Sequence, residues 1–171
     1  MRIKWFSLIR ITGLLLVLLY HFFQTIFPGG FFGVDVFFTF SGFLITALLI
    51  EEFSKNHEID LIGFFRRRFY RIVPPVVLMV LVTMPFTFLV RQDYVAGIGG
   101  QIAGVLGFMT NFYELLTGGS YESQFIPHLF VHNWSLAVEV HYYILWGLAV
   151  WFLSKQSKSN GQLRGMVFLL S

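Results

Sequence analysis

Three charged or titratable side chains stand at or within long apolar runs near the start of the chain. They are Arg10, His21 and Asp35, and His21 is the only Asp, Glu, Lys, Arg or His between residues 11 and 34. A charge inside lipid costs roughly 3 kcal/mol on insertion scales, so such residues are candidates for a functional site. An imidazole takes a proton from an attacking hydroxyl, a guanidinium binds an anion, and a carboxylate orients an imidazole.

Helical spacing relates these side chains to one another. Arg10 and His21 are 11 residues apart, which is about three helical turns, so both project from one face about 16 Å apart along the axis. A turn at residues 28–30 brings a second helix back, and we expect Asp35 to lie within about one turn of the depth of His21. Each residue also has a purely structural explanation. His21 would bond to a helix carbonyl, Arg10 would extend to the membrane interface, and Asp35 would stabilise the start of a helix.

Further polar residues accompany two later apolar segments. Glu139 stands inside an apolar run with Ser135 and Tyr143 one turn away on its face, which predicts a functional carboxylate or an essential internal hydrogen bond. Arg68 and Arg71 share one face of a short basic segment whose Phe and Ile residues follow helical spacing, as in an amphipathic helix at the membrane interface. Such a pair would orient the membrane segment and attract anionic lipid, or it would bind the phosphates of a ligand.

Composition indicates the class of protein. Of 171 residues, 56% are hydrophobic and 12% are charged, whereas soluble domains carry about 25% charged residues. We therefore predict an all-α integral membrane protein, a polytopic helical bundle with four or five transmembrane or re-entrant helices. The absence of cysteine excludes a thiol nucleophile. The basic residues cluster beside apolar segments, which indicates membrane topology and not nucleic-acid binding.

Lengths and charges predict how the chain crosses the membrane. The predicted spans are 5–27, 31–50, a third that starts at Pro74, and 134–153. The glycine-rich segment 94–113 is long enough to cross, but a full crossing would place the later lysines outside, so we favour a re-entrant or broken segment over that alternative. The positive-inside rule places the N-terminus and the arginine cluster in the cytoplasm.

Three blocks, in this order, resemble the integral-membrane acyltransferase-3 family. They are Arg10-x10-His21 followed by residues 29–49, the basic block from Arg66 to Pro74, and residues 133–143, which are similar to the family's WSLxxE-xxxY signature. Within the family, the sequence is most similar to Gram-positive O-acetyltransferases that act on cell-wall peptidoglycan. It departs from the pattern at residues 140–141, where members often carry Glu-Gln.

This resemblance implies a function. Family members transfer an acyl group, here expected to be acetyl, from cytoplasmic acetyl-CoA to a hydroxyl of an extracytoplasmic glycan, without a metal. Members use the residues matching His21 and Arg10 for activity. The expected site residues are catalytic His21, Arg10, Asp35 and Glu139, and donor-binding Arg68 and Arg71. A zinc pair at His128 and His132 lacks a third ligand in the sequence.

The resemblance also implies a setting. Residues 1–171 would form the N-terminal part of a multi-span acyltransferase domain in the plasma membrane, with further spans beyond. The expected partners are the lipid bilayer, the glycan acceptor, the acyl-CoA donor and an extracytoplasmic hydrolase-like domain, fused or separate. The alternative function is a proton-coupled membrane transporter, in which intramembrane His, Arg and Asp form a relay. Consumption of acetyl-CoA by the purified protein would distinguish the two.

The orientation can be tested with single cysteines in the full-length protein, on a cysteine-free background. Thr25→Cys should react with a membrane-impermeant maleimide on intact cells, because the turn is predicted to lie outside. Arg67→Cys should react only after the cells are permeabilised. Labelling of both positions from outside would contradict the orientation.

Overall fold

The computed structural model describes residues 4–23, 25–89, 97–117 and 128–160, and every regular element in these ranges is helical. Their α-helices are α1 (Lys4–Phe22), α2 (Phe32–Asn56), α3 (Leu61–Phe86), α4 (Ile98–Leu106), α5 (Thr110–Thr117) and α6 (Trp134–Asn160). Three helical stretches are long and apolar enough to cross a membrane: Pro28–Asn56, Leu61–Phe86 and Val131–Gln156. A shorter apolar stretch, Ile11–Phe22, lies in α1. These helices confirm the prediction of an all-α polytopic membrane protein.

The chain divides into two compact units. The first comprises Met1–Ile59 and Phe152–Ser171, and the second comprises Asp60–Trp151. The first unit therefore contains α1 and α2, whereas the second contains α3, α4, α5 and most of α6.

Glycines bring α1 and α2 into backbone contact. A Cβ atom added to Gly30 would lie 2.3 Å from the carbonyl oxygen of Leu16, and one added to Gly33 would lie 2.5 Å from the carbonyl oxygen of Gly13. Helices inside a membrane gain little from the hydrophobic effect, so close packing through small residues is a main source of their association. These contacts fix the antiparallel register of the two helices.

The chain reverses earlier than the sequence predicted. Helix α1 ends at Phe22, and the turn that follows is closed by a bond of 2.8 Å from the Phe27 N–H to the Phe23 carbonyl. Residues Pro28–Phe31 form a 3-10 turn that leads directly into α2. The first span therefore ends five residues before the end of the predicted span 5–27.

A second predicted boundary, the start of a membrane span at Pro74, is also wrong. The basic segment was predicted to be a separate interfacial helix with Pro74 at the start of the next span, but α3 runs without interruption from Leu61 through both Pro74 and Pro75. Asp60 caps its start, because the Asp60 carboxylate accepts a hydrogen bond of 2.9 Å from the Gly63 N–H. Proline is tolerated inside membrane helices when local adjustments satisfy the freed carbonyls.

The glycine-rich segment is broken, as predicted. Helices α4 and α5 contain 9 and 8 residues, about 12–14 Å each, which is less than half of the hydrocarbon thickness. Between them the chain turns at Phe108, whose φ of 53° lies in the left-handed region. The side of the membrane on which the following loop lies stays a prediction, and residues 118–127 lie outside the described ranges.

The second unit has an apolar core. Its buried members are Val76 and Val80 of α3, Val105 of α4, and Phe130 from the segment before α6. Because they come from three separate parts of the chain, this core holds the broken segment against α3.

The glycine contact predicts an asymmetric pair of substitutions. Gly30→Ala places a methyl group against the Leu16 carbonyl, and we expect a loss of about 1–3 kcal/mol or more in stability. Gly29→Ala is the matched control, because nothing lies within 4 Å of its added Cβ, and it should change stability by about 0.5 kcal/mol at most. Thermal unfolding of the full-length protein in detergent measures both. Equal melting temperatures for the two variants would contradict the close helix contact.

Candidate functional site

His21 lies in the last turn of α1 with an exposed side chain. Its Nδ1 atom is 2.8 Å from the carbonyl oxygen of Val17, one turn earlier. A carbonyl only accepts, so Nδ1 must carry the hydrogen and donate it, and in the neutral ring the lone pair is then on Nε2. The carbonyl bond that the structural alternative predicted is therefore present, and it also orients the ring for a role as a base.

Asp35 does not lie at the depth of His21. With Gly33 packed on Gly13, Asp35 is two residues further along α2, whereas His21 is eight residues further along α1 in the opposite direction. This register separates the two by roughly 12–15 Å along the helix axes. The expectation of a shared depth is wrong, because counting from residues 28–30 misplaced the point at which the chain reverses.

Asp35 also faces away from α1. A residue two positions after Gly33 lies about 200° around the helix from the face that contacts Gly13. Asp35 is exposed in the first turn of α2, where a carboxylate stabilises the positive end of the helix dipole. Its catalytic role stays a prediction, and orientation of His21 by direct contact has no support from this register.

Arg10 and His21 both belong to α1, as the spacing predicted. The backbone of Arg10 lies about one turn before Gly13, so its level along the hairpin is closer to Asp35 than to His21. The side chain of Arg10 lies outside the described part of the structure, and its anion contact stays a prediction.

In the second unit, α3 and α6 bring Arg68 and Glu139 into one connected group. The guanidinium carbon of Arg68 lies 5.6 Å from the ring centroid of Phe64 and 5.4 Å from that of Tyr143. The Tyr143 hydroxyl donates to a carboxylate oxygen of Glu139, and both of these side chains are 7% exposed. Tyr143 therefore joins the arginine to the carboxylate through its ring face and its hydroxyl. The predicted internal hydrogen bond of Glu139 is confirmed.

Arg71 lies one turn after Arg68 on α3 and is exposed. It forms no salt bridge to any residue of the described ranges. The two arginines differ accordingly: Arg68 is half-buried against aromatic rings, and Arg71 is accessible to an anionic ligand.

A family model described as an acyltransferase domain matches residues 3–170. The chain belongs to the acyltransferase-3 family. Over 163 residues it is 32% identical to O-acetyltransferase OatA of Staphylococcus aureus, an alignment that covers 95% of this chain and 27% of that protein. Over 139 residues it is 31% identical to peptidoglycan O-acetyltransferase OatA of Listeria monocytogenes, covering 81% and 22%. The chain thus spans about a quarter of the length of these relatives. No solved structure matches it.

Membership of the acyltransferase-3 family gives the three sequence blocks a place in the fold. The Arg-x10-His block lies on α1 and the hairpin that follows, the basic block forms the first half of α3, and the WSLxxE-xxxY block forms the first turns of α6. His21 and Asp35 lie in the first unit, whereas Arg68, Arg71 and Glu139 lie in the second.

The sequence did not reveal a second buried pair of titratable groups. Nδ1 of His128 lies 2.7 Å from a carboxylate oxygen of Glu114, and both side chains are 8% exposed. The sequence places His128 at the spacing of a zinc pair with His132, but the described partner of His128 is the Glu114 carboxylate. Within the described ranges, no three His, Cys, Asp or Glu side chains form a group that would hold a metal ion. Glu114 carried no signal in the sequence beyond a single acidic residue in an apolar stretch.

The link between Tyr143 and Glu139 can be tested by removing one hydroxyl. Tyr143→Phe retains the ring over Arg68 but withdraws a donor from a buried carboxylate, so we expect a loss of about 1–3 kcal/mol in the free energy of unfolding. Tyr142→Phe is the control, because the Tyr142 ring stacks on Trp146 and its hydroxyl forms no hydrogen bond within the described residues. Equal melting temperatures for the two variants in detergent would show that the bond carries no stability.

Proposed function

We propose that the chain is the N-terminal part of a membrane O-acetyltransferase that transfers acetyl from cytoplasmic acetyl-CoA to a hydroxyl of cell-wall peptidoglycan. Membership of the acyltransferase-3 family and the O-acetyltransferase relatives support acyl transfer over the proton-coupled transporter. The name of the Listeria relative supports peptidoglycan as the acceptor. The apolar helices support a multi-pass membrane protein, and the orientation with the N-terminus in the cytoplasm is part of the proposal.

The observation that carries the proposal is the bond from His21 Nδ1 to the Val17 carbonyl. It leaves Nε2 as the basic nitrogen of an exposed imidazole, which is the arrangement a general base requires. In the proposed step, the acceptor oxygen forms a bond to the acetyl carbon as its proton passes to Nε2. The carbon–sulfur bond of the thioester then breaks, and the thiolate leaves as coenzyme A.

The donor side of the proposal rests on arginines. Arg71 is exposed on the same basic helix as Arg68 and would contact phosphate groups of coenzyme A. Arg10 would stabilise the oxyanion that forms on the acetyl carbonyl, or bind the donor, from the same helix as His21. Asp35 and Glu139 complete the proposed set, Asp35 as a charge near the level of Arg10 and Glu139 as the partner of Tyr143.

Substitution of His21 separates chemistry from packing. His21→Ala should lower acetyl transfer by about 10²–10⁴-fold while expression stays near normal, because the general base is lost. His21→Gln should fail as well, since an amide donates to the Val17 carbonyl but does not take the proton. The measurement is acetate released by mild alkali from the peptidoglycan of cells that make the full-length protein, normalised to protein level.

His57→Asn provides the matched control for this experiment. His57 follows α2 with a φ of 54°, a conformation that asparagine tolerates, and the proposal gives it no chemical role. It should therefore retain acetylation. Near wild-type acetylation by His21→Gln would remove His21 from the mechanism and assign it to packing.

A further inference from the structure

Two aromatic rings, one from each of two helices of the second unit, hold the guanidinium of Arg68. Phe64 lies one turn before Arg68 on α3, and Tyr143 lies on α6. The guanidinium carbon is 5.6 Å from the ring centroid of Phe64 and 5.4 Å from that of Tyr143. Both distances fall within the range of about 6 Å over which a ring face attracts a cation. The two rings therefore restrict where this flexible side chain places its charge.

Each of these rings also has a contact that does not depend on Arg68. Phe64 is 3% exposed, and Gly147 lets its ring approach α6, because a Cβ added to Gly147 would lie 3.1 Å from Cε1 of Phe64. Tyr143 is held at its hydroxyl end by the hydrogen bond to Glu139. The guanidinium is therefore ordered before any ligand arrives, and a side chain that is already ordered loses less entropy when a ligand binds.

Two other arginines of the basic block have different surroundings. Arg67 lies beside the Asp60 carboxylate, because a Cβ added to Gly63 would lie against Oδ2 of Asp60 and 3.1 Å from Nη1 of Arg67. Arg71 is exposed and lies three residues after Arg68. Residues three apart are neighbours on the surface of a helix. Arg68 and Arg71 therefore form a pair of neighbouring cations, which suits the phosphate groups of a ligand.

We propose that Tyr143 is a positioning residue for the acyl donor. With Phe64, it holds the guanidinium of Arg68 at the place where that group binds a phosphate of coenzyme A. The two ends of Tyr143 then have separate tasks: the hydroxyl contributes to stability through Glu139, and the ring contributes to donor affinity through Arg68. This inference rests on the proposed function for the identity of the ligand, but donor binding is measurable without acetyl transfer.

Substitutions of Tyr143 separate the ring from the hydroxyl. Tyr143→Leu removes the ring, and the affinity of the full-length protein for coenzyme A should fall about three- to tenfold, because Arg68 must then be ordered as the ligand binds. Tyr143→Phe keeps the ring and should keep the affinity of the wild type, although its melting temperature falls. The measurement is calorimetric titration in detergent with coenzyme A, which carries the phosphates of the donor without its acetyl group. Equal affinities in the two variants, whether both normal or both lowered, would overturn the proposal.

A second ring variant with a matched control separates this effect from a general loss of folding. Phe64→Leu removes the other ring and should also lower the affinity for coenzyme A. Phe69→Leu is the same substitution on the same helix, but the Phe69 ring is 58% exposed and contacts Tyr70, so this variant should bind as the wild type does. Equal affinities of Phe64→Leu and Phe69→Leu would contradict the role of the two rings.

A double-mutant cycle tests whether Tyr143 acts through Arg68. In an Arg68→Gln protein, Tyr143→Leu should cause no further loss of affinity for coenzyme A, because the group that the ring positions is gone. An Arg67→Gln protein has lost one charge at the neighbouring position, and there Tyr143→Leu should have its full effect. An equal effect of Tyr143→Leu in both backgrounds would show that the ring acts by another route and would overturn the proposal.

Binding of coenzyme A keeps this result separate from the proposed function. If the protein binds coenzyme A but transfers no acetyl group, the Tyr143 variants still decide the inference, although the proposed function has failed. If the protein transfers acetyl and the Tyr143 variants bind coenzyme A equally, the inference fails and the proposed function stands. No binding of coenzyme A by the wild type would also overturn the inference.

Discussion

An apolar surrounding requires every polar group to find a partner within the protein, and this constraint explains a recurrent contact of the described helices. Thr12, Thr39, Thr46 and Thr117 each donate to the carbonyl four residues earlier, at 2.7–3.0 Å. The Nδ1 atom of His21 also donates to the carbonyl four residues earlier. This bond leaves Nε2 as the basic nitrogen of the neutral ring. Among the described residues, the buried side-chain oxygens Oγ1 of Thr110 and Oδ1 of Asn111 depart from this requirement, since neither has a hydrogen-bond partner.

The sequence was sufficient to predict that membrane helices are present, but not the end of α1, the continuity of α3 through Pro74 or the register of α1 and α2. Runs of about 20 apolar residues predicted the membrane helices, since only a helix satisfies its own backbone in lipid. The depth of Asp35 depended instead on where α1 and α2 touch, which is decided by close approach at Gly13, Gly30 and Gly33. A close contact between glycines leaves no periodic pattern of hydrophobic residues from which it could be predicted. The predicted apex of the hairpin was therefore wrong by several residues. The predicted depth of Asp35 relative to His21 was wrong for the same reason.

The two carboxylate contacts of the second unit also differ in whether the sequence could predict them. Glu139 and Tyr143 are four residues apart on one helix, so local geometry alone brought them together and the spacing was sufficient to predict the bond. Glu114 and His128 are 14 residues apart on different elements. Their contact needs the left-handed turn at Phe108 and the space above the α4 glycines, and no periodic pattern encodes either. The glycines predict a broken membrane segment, as the two short helices show, and they also accommodate the Tyr113 ring.

Two histidines with fixed tautomers thus occur in one chain, and their surroundings suit different tasks. His21 is held by a backbone carbonyl and its side chain is exposed, so a substrate oxygen can approach Nε2 and the proton can leave again. His128 is held by a carboxylate and its side chain is only 8% exposed, which is less suited to contact with a substrate. On these grounds the proposed proton transfer is assigned to His21, whereas the contact of His128 with Glu114 joins α5 to the segment before α6.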